Sequence, residues 1–314
     1  MQKSAITYDA VYKLTMKEIP PNFLFIGPDK AGSTWLYRAL KKHKSVYLPY
    51  AKELFFFDRF YEKGWSWYFD FFKDAGTTHQ IIGEICHDYL FSRPACERIA
   101  RDLPSVKLMV CLREPAQRAF SAYLYMIKQG RVSTDFETAL QQVDELIDHG
   151  CYARHLANYL QLFRREQIYV AVFDDLAANP QQFFNNICKF LSIEQISLPE
   201  DIKEKTLAAA RPRSRFLAGV ARSIGWQVRS LGMPNIVNRV KSSPLLNRTL
   251  YATYSHRDKP EMSPATLNHL RAVFYPEIQR LDNRLGLNLC NRWGYEKALC
   301  VPYRKLPIEV DRVN

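Results

Sequence analysis

The chain of 314 residues is short of several features that define large protein classes. It has no run of about 18 apolar residues, and lysine, aspartate and glutamate interrupt the first twenty positions, so neither a membrane span nor a secretory leader is expected. Its seven cysteines, at positions 86, 96, 111, 151, 188, 290 and 300, form no CxxC pair and are odd in number. That pattern predicts neither a disulfide framework nor a zinc knuckle, and the chain reads as cytoplasmic with reduced thiols. Glycine is sparse, at 12 residues, and no internal repeat or low-complexity stretch is visible, which excludes fibrous, solenoid and disordered classes. Acidic residues are also in deficit: 32 Asp and Glu against 44 Lys and Arg leave a net charge of +12. An excess of this sign favours an anionic partner, whether nucleic acid, a membrane surface or a small polyphosphorylated ligand.

Apolar residues are plentiful, at 47%, and they are patterned. Runs rich in β-branched and aromatic residues at 22–27 (NFLFIG), 81–85 (IIGEI), 107–112 (KLMVCL) and 168–173 (IYVAVF) predict buried strands. Helical spacing separates them, as in Trp35, Leu36, Ala39 and Leu40, or Phe183, Phe184, Ile187, Phe190 and Leu191. Alternating strand and helix implies a single α/β domain: a central parallel β-sheet flanked by helices, with ligands outside the carboxyl ends of the strands. The reading divides the chain into an N-terminal extension (1–20), a domain over 21–300 and a tail (301–314). Within the domain lie a core (21–195), a basic, irregular region (196–262) and a last helix (263–286) capped by Ser263, begun by Pro264 and disturbed at Pro276.

The segment FIGPDKAGSTWL at 25–36 links the first strand to the first helix, where a glycine-containing turn presents backbone N–H groups to phosphate. Gly27 and Gly32 have Walker A spacing, but Ser33 stands where GxxxxGK[ST] has its lysine, and the cation lies inside the loop as Lys30. The Walker B aspartate that holds magnesium in P-loop NTPases is missing too, because KLMVCL is followed by Arg113. A guanidinium there repels a metal and offers a planar fork to a second phosphate. Ser121, seven residues past Glu114, falls on the same helix face and can join that anion site. Two separated anion sites imply a nucleotide phosphorylated at two places.

The turn PDKAGSTWL at 28–36 and the segment LREPAQRAFSAYLYMIKQG at 112–130 resemble the two nucleotide-binding motifs of sulfotransferases that use 3′-phosphoadenosine 5′-phosphosulfate (PAPS), the carbohydrate and bacterial branches above all. KELFFFDRFYEKGWSWYFDFF at 52–72 and GCYARHLANYLQLFRREQIYVAVFDDLAANP at 150–180 extend the resemblance. It implies a P-loop-like fold, PAPS as donor, adenosine 3′,5′-bisphosphate as product and no metal. Lys30, Gly32, Ser33 and Thr34, with Ala31 and Trp35 in the same turn, would then bind the 5′-phosphosulfate, and Arg113 with Ser121 the 3′-phosphate.

Sulfuryl transfer requires a cation at the leaving phosphate, a base for the acceptor and in-line alignment. Lys30 is the candidate cation. Glu53 is the favoured base, with desolvation by the following aromatic run expected to raise its pKa toward neutrality. His87 is the alternative, because imidazole titrates near neutral pH, and Glu84 is a third possibility. Asp174 and Asp175 read as turn and capping residues. Arg257 and Lys259 lie in a basic segment that could close over the nucleotide, and the stripe from Phe55 to Phe69 reads mostly as core. The acceptor is expected to be a hydroxyl, less readily an amine, of a small metabolite, natural product or carbohydrate. A P-loop kinase and a basic nucleic-acid-binding protein are the rival readings.

Overall fold

In the computed structural model, residues 19–203, 210–241, 243–254 and 260–295 are described below. Five strands, β1 (Phe23–Gly27), β2 (Val46–Tyr47), β3 (Ile81–Ile85), β4 (Lys107–Leu112) and β5 (Ile168–Val172), form one parallel sheet in the order β2-β3-β1-β4-β5. The chain leaves the central strand in one direction to build β2 and β3 and returns on its other side as β4 and β5. This reversal at β1 places a crevice at the carboxyl edge of the sheet.

Each strand is apolar on both faces because helices cover both. Leu24, Ile26, Leu108, Val110 and Leu112 point into one core; Phe23, Phe25, Met109 and Cys111 point into the other. On the second face lie α1 (Ser33–Leu40) and α5 (Pro180–Leu191), which bury Trp35, Leu36, Phe184 and Ile187. On the first lie α2 (Arg93–Asp102), α3 (Pro115–Lys128), α4 (Tyr152–Leu162) and α8 (Pro264–Leu285). Between α5 and α8 the basic region folds as α6 (Arg215–Ser230), α7 (Pro234–Lys241), a short helix (Pro244–Leu250) and a two-stranded antiparallel ribbon of β6 (Ala210–Pro212) and β7 (Tyr251–Thr253).

Ser263 caps α8 through Thr266 N–H at 3.0 Å, as its position before Pro264 predicts. The disturbance expected at Pro276 is absent: α8 runs unbroken through it to Gly286, with Leu270, Phe274, Ile278 and Leu281 buried. Packing of that stripe offsets the one backbone hydrogen bond that proline removes. Six cysteines are free thiols, five of them buried; Cys300, Arg257, Lys259 and the tail fall outside the described residues.

Gly27 ends β1 at a φ of 141°, and a Cβ there would stand 2.5 Å from the backbone oxygen of His87. Gly27→Ala is therefore expected to destabilise the fold by about 2 to 5 kcal/mol, from backbone strain and overpacking together. Gly219→Ala, within α6 with open space around it, should be neutral or stabilising by about 0.5 to 1 kcal/mol. Urea midpoints at unchanged m-value measure both, and similar midpoints for the two variants would refute the steric argument.

Candidate active site

Pro28–Gly32 carries the chain from β1 to α1. Gly32 is the N-cap of α1 with a left-handed φ of 89° and no side-chain cap. The first intrahelical bond runs from Leu36 N–H to the Gly32 carbonyl at 2.9 Å, so the N–H groups of Ser33, Thr34 and Trp35 are left for an anion at the positive end of the helix. The turn is braced from behind. Buried Arg118 donates to Asp29 Oδ1 at 3.2 Å and to the carbonyl of Leu146, and His149 Nδ1 lies 3.6 Å from the same Asp29 oxygen. Burial pushes the Asp29 carboxyl up, but Arg118 and His149 more than reverse this and hold it well below the usual carboxylate range.

Three cations converge on this turn. Lys30 has a left-handed φ of 61°, and its ammonium lies 4.2 Å from the centre of the Tyr125 ring on α3. Burial, with Asp29 opposing and Arg113 and Lys128 reinforcing, lowers its pKa to about 8. Arg113, just past β4, donates from Nη1 to the Lys30 carbonyl at 3.0 Å, and burial lowers its pKa as well. The third cation is Lys52, which sequence reasoning passed over. Its Nζ donates to Thr34 Oγ1 at 3.0 Å and lies 3.4 Å from Ser33 Oγ, and burial lowers its pKa. It supplies from a neighbouring loop the charge that Walker A places after the second glycine. The missing lysine of that motif was the signal that could have prompted a search for a substitute.

The loop after Lys52 is held in an unusual shape. Glu53 and Phe55 both have left-handed φ, 60° and 56°, which for residues with a Cβ costs about 1 kcal/mol or more each. Backbone and side-chain bonds from β3 offset this: Glu53 N–H donates to the Ile85 carbonyl at 2.9 Å, and Leu54 N–H donates to Glu84 Oε1 at 3.1 Å. Glu84 is buried in β3 and also accepts from Tyr68 and Tyr89 hydroxyls, at 2.7 and 3.0 Å. Its burial raises its pKa to about 7. It therefore fixes the loop from beneath.

The same shape brings Glu53 Oε1 within 3.2 Å of His87 Nε2 and 3.8 Å of Lys52 Nζ. His87 Nδ1 is bonded to Asp88, which is paired with Arg59. Two sequence expectations are corrected here. Burial does push the Glu53 carboxyl up, but His87 and Lys52 overcome it and leave the pKa well below the ordinary value. Burial also pulls His87 down, but Asp88 and Glu53 raise it to about 10, so the imidazole is held in its charged form between them, not in the neutral form of a base.

The structure thus gathers Lys30, Ala31, Gly32, Ser33, Thr34, Glu53, His87 and Arg113 at the carboxyl edge of the sheet. Trp35 is a partial correction. Its indole packs edge-on against Phe183 and Phe184 and donates to the Ile202 carbonyl at 2.7 Å, so its side chain belongs to the core and only its backbone faces the turn. Ser121 is half-buried on α3, two turns beyond the cap Glu114. Asp174 and Asp175 open a short helix (Phe173–Ala178) and tie down the C-terminal segment: Trp293 Nε1 donates to Asp174 at 3.1 Å, and Arg292 pairs with Asp175. Phe55, Phe56, Phe57, Tyr68 and Phe69 are buried, as a core stripe requires.

Comparison with known proteins identifies the family. The family model described as a sulfotransferase domain matches residues 20–211. The bifunctional heparan sulfate N-deacetylase/N-sulfotransferase 4 of Mus musculus is 30% identical over 196 residues, 55% of this chain and 22% of that protein. The corresponding Drosophila melanogaster enzyme is 27% identical over 208 residues, 56% of this chain and 20% of that protein. The chain therefore spans only a minor part of the length of these relatives. A crystal structure of a sulfotransferase from Alicyclobacillus acidocaldarius superposes with a TM-score of 0.55 at 24% identity, covering 73% of this chain and 96% of that one; the shared fold is what that likeness shows.

The raised His87 pKa has a consequence for stability. A group whose pKa is higher folded than unfolded stabilises the fold fully below its unfolded value, about 6.5, and this contribution is lost as pH rises through the folded value, about 10. Urea midpoints of the wild type should therefore fall between these limits, and His87→Asn should flatten that fall. An unchanged profile in the variant would show that His87 is not held charged by Glu53 and Asp88.

Proposed function

We propose that this chain, which belongs to the sulfotransferase family, transfers the sulfuryl group of PAPS to a hydroxyl or amine of a carbohydrate or small-molecule acceptor. The observation that carries the reading is the meeting of Lys30, Lys52 and Arg113 on one turn, all with pKa values lowered by burial, while the nearby acids are too few to match them, Asp29 being shared with Arg118 and His149 and Glu53 with His87 as well as Lys52. Buried cations that outnumber their partners suit a polyanion, and the open N–H groups of α1 fit a phosphosulfate. The donor supplies an activated sulfuryl group on a phosphate leaving group.

Each residue then has a defined task. Lys30 and the α1 N–H groups receive charge developing on the leaving phosphate, and Lys52 braces Ser33 and Thr34 toward it. Arg113, with Ser121, takes the 3′-phosphate through its planar fork. Glu53 accepts the acceptor proton. His87 and Lys52 keep it ionised in the resting enzyme, and the negative charge of a bound donor beside Lys30 and Lys52 opposes that ionisation and so strengthens it as a base. His87 is a positioning residue, aligned by Asp88, and Glu84 positions the loop. The relatives named as heparan sulfate N-sulfotransferases support an amino sugar as one acceptor to assay. Among the described residues, no helix is long and apolar enough to cross a membrane.

The test uses radiolabelled PAPS and an acceptor found by screening carbohydrates and metabolite extracts. Glu53→Gln should lower turnover by about 10² to 10⁴ with donor binding intact, because the amide cannot accept the proton. His87→Asn should cost far less. A fully active Glu53→Gln with an inactive His87→Asn would reverse the assignment.

A further inference from the structure

A surface helix normally turns its apolar stripe to the core. Helix α6 does the opposite: its buried residues are Ala218 and Arg229, while Phe216, Val220 and Ile224 face solvent at 77%, 39% and 54% exposure. Leu231, directly after the helix, is 70% exposed. At 100° per residue these four positions fall within one narrow sector, so they form a continuous stripe. Ile236 and Val240, one turn apart on α7, extend the exposed apolar surface at 50% and 49%. An apolar surface of this extent marks an interaction site.

Its charge identifies the kind of partner. Residues 210–241 contain seven basic residues (Arg211, Arg213, Arg215, Arg222, Arg229, Arg239 and Lys241) and no aspartate or glutamate. Arg211, Arg213, Arg215, Arg222 and Arg239 are exposed and Arg229 is buried; Arg215 and Arg222 lie on the polar side of α6, about 140° and 160° around the helix from the centre of the stripe. A second copy of the chain would set this cationic face against itself in a two-fold contact, which charge repulsion opposes. Nucleic acid would use the arginines but gain little from an aliphatic stripe. An apolar stripe on one face with arginines on the polar side is instead the pattern of a helix lying in the plane of an anionic bilayer.

We propose that α6 and α7 dock this protein on an anionic membrane surface, with the apolar stripe seated at the headgroup boundary and the exposed arginines of the segment drawing it to the negative surface. The opposite face of α6 packs on the candidate active site. Arg229 donates to the Lys52 and Glu53 carbonyls, and the Trp226 ring lies 5.5 Å from that of Phe55. Docking would therefore leave α6 between the lipid surface and the Glu53 loop. The proposal stands on the exposed stripe and the charge alone, whatever reaction the site performs.

The test is flotation of the intact protein with phosphatidylcholine vesicles made with and without phosphatidylglycerol. The wild type should partition onto the anionic vesicles at least about tenfold more strongly than onto neutral ones, and less so at high salt. A Phe216→Gln, Ile224→Gln, Leu231→Gln variant should lose about tenfold or more in partitioning while its circular dichroism and melting stay unchanged. Four outcomes would each overturn the proposal. They are equal partitioning onto both vesicle types, undiminished partitioning of the triple variant, concentration-dependent dimerisation that the triple variant abolishes, and oligonucleotide binding without vesicle binding.

Discussion

Positive charge confined in a poorly solvated crevice is the constraint around which the carboxyl edge of this sheet is organised. Lys30, Lys52 and Arg113 approach one short turn, and burial disfavours the charge of each. A fold keeps such groups together only where rigid elements hold them, and each is held by a different one: the β1–α1 turn, the loop tied to β3, and the end of β4. The acids nearby offset the cluster only in part, because Asp29 is shared with Arg118 and His149, and Glu53 is divided between Lys52 and His87. The arrangement suits an anion from outside.

Glu84 makes that arrangement possible from below. A buried carboxylate is costly unless its oxygens are satisfied, and Leu54 N–H with the Tyr68 and Tyr89 hydroxyls satisfies them. In doing so it pins a loop in which Glu53 and Phe55 are both left-handed, and this twist is what turns Lys52 toward Thr34 and Glu53 toward His87. Glu84 thus helps to set the positions of Lys52 and Glu53 while touching neither side chain.

Much of this architecture was legible in the sequence, for physical reasons that can be named. Strands buried on both faces read as continuous β-branched and aromatic runs, and four of the five strands were visible in that way. The two-residue β2 carries too few residues to show a pattern. The turn between β1 and α1 was legible because glycines, a hydroxyl and a lysine between strand and helix leave few alternatives. The protonation states were not. Glu53 follows an aromatic run in sequence order, but its pKa answers to His87, which reaches it from the far end of β3 through a backbone twist that no local pattern encodes. Lys52 was hidden for the same reason. Trp35 looked like part of the turn because it follows Thr34, but helical rotation carries its side chain to the opposite side and into the core.

The central claim is that the turn and Arg113 form one site for a nucleotide phosphorylated at both ends. Calorimetric titration of adenosine 3′,5′-bisphosphate in the presence of EDTA tests it most directly. The account predicts binding that persists without divalent metal and weakens by about 1.5 to 3 kcal/mol in a folded Arg113→Ala variant, the scale of a charge-assisted contact. Equal affinity in the variant and the wild type, or binding of magnesium-ATP in place of the bisphosphate, would contradict it.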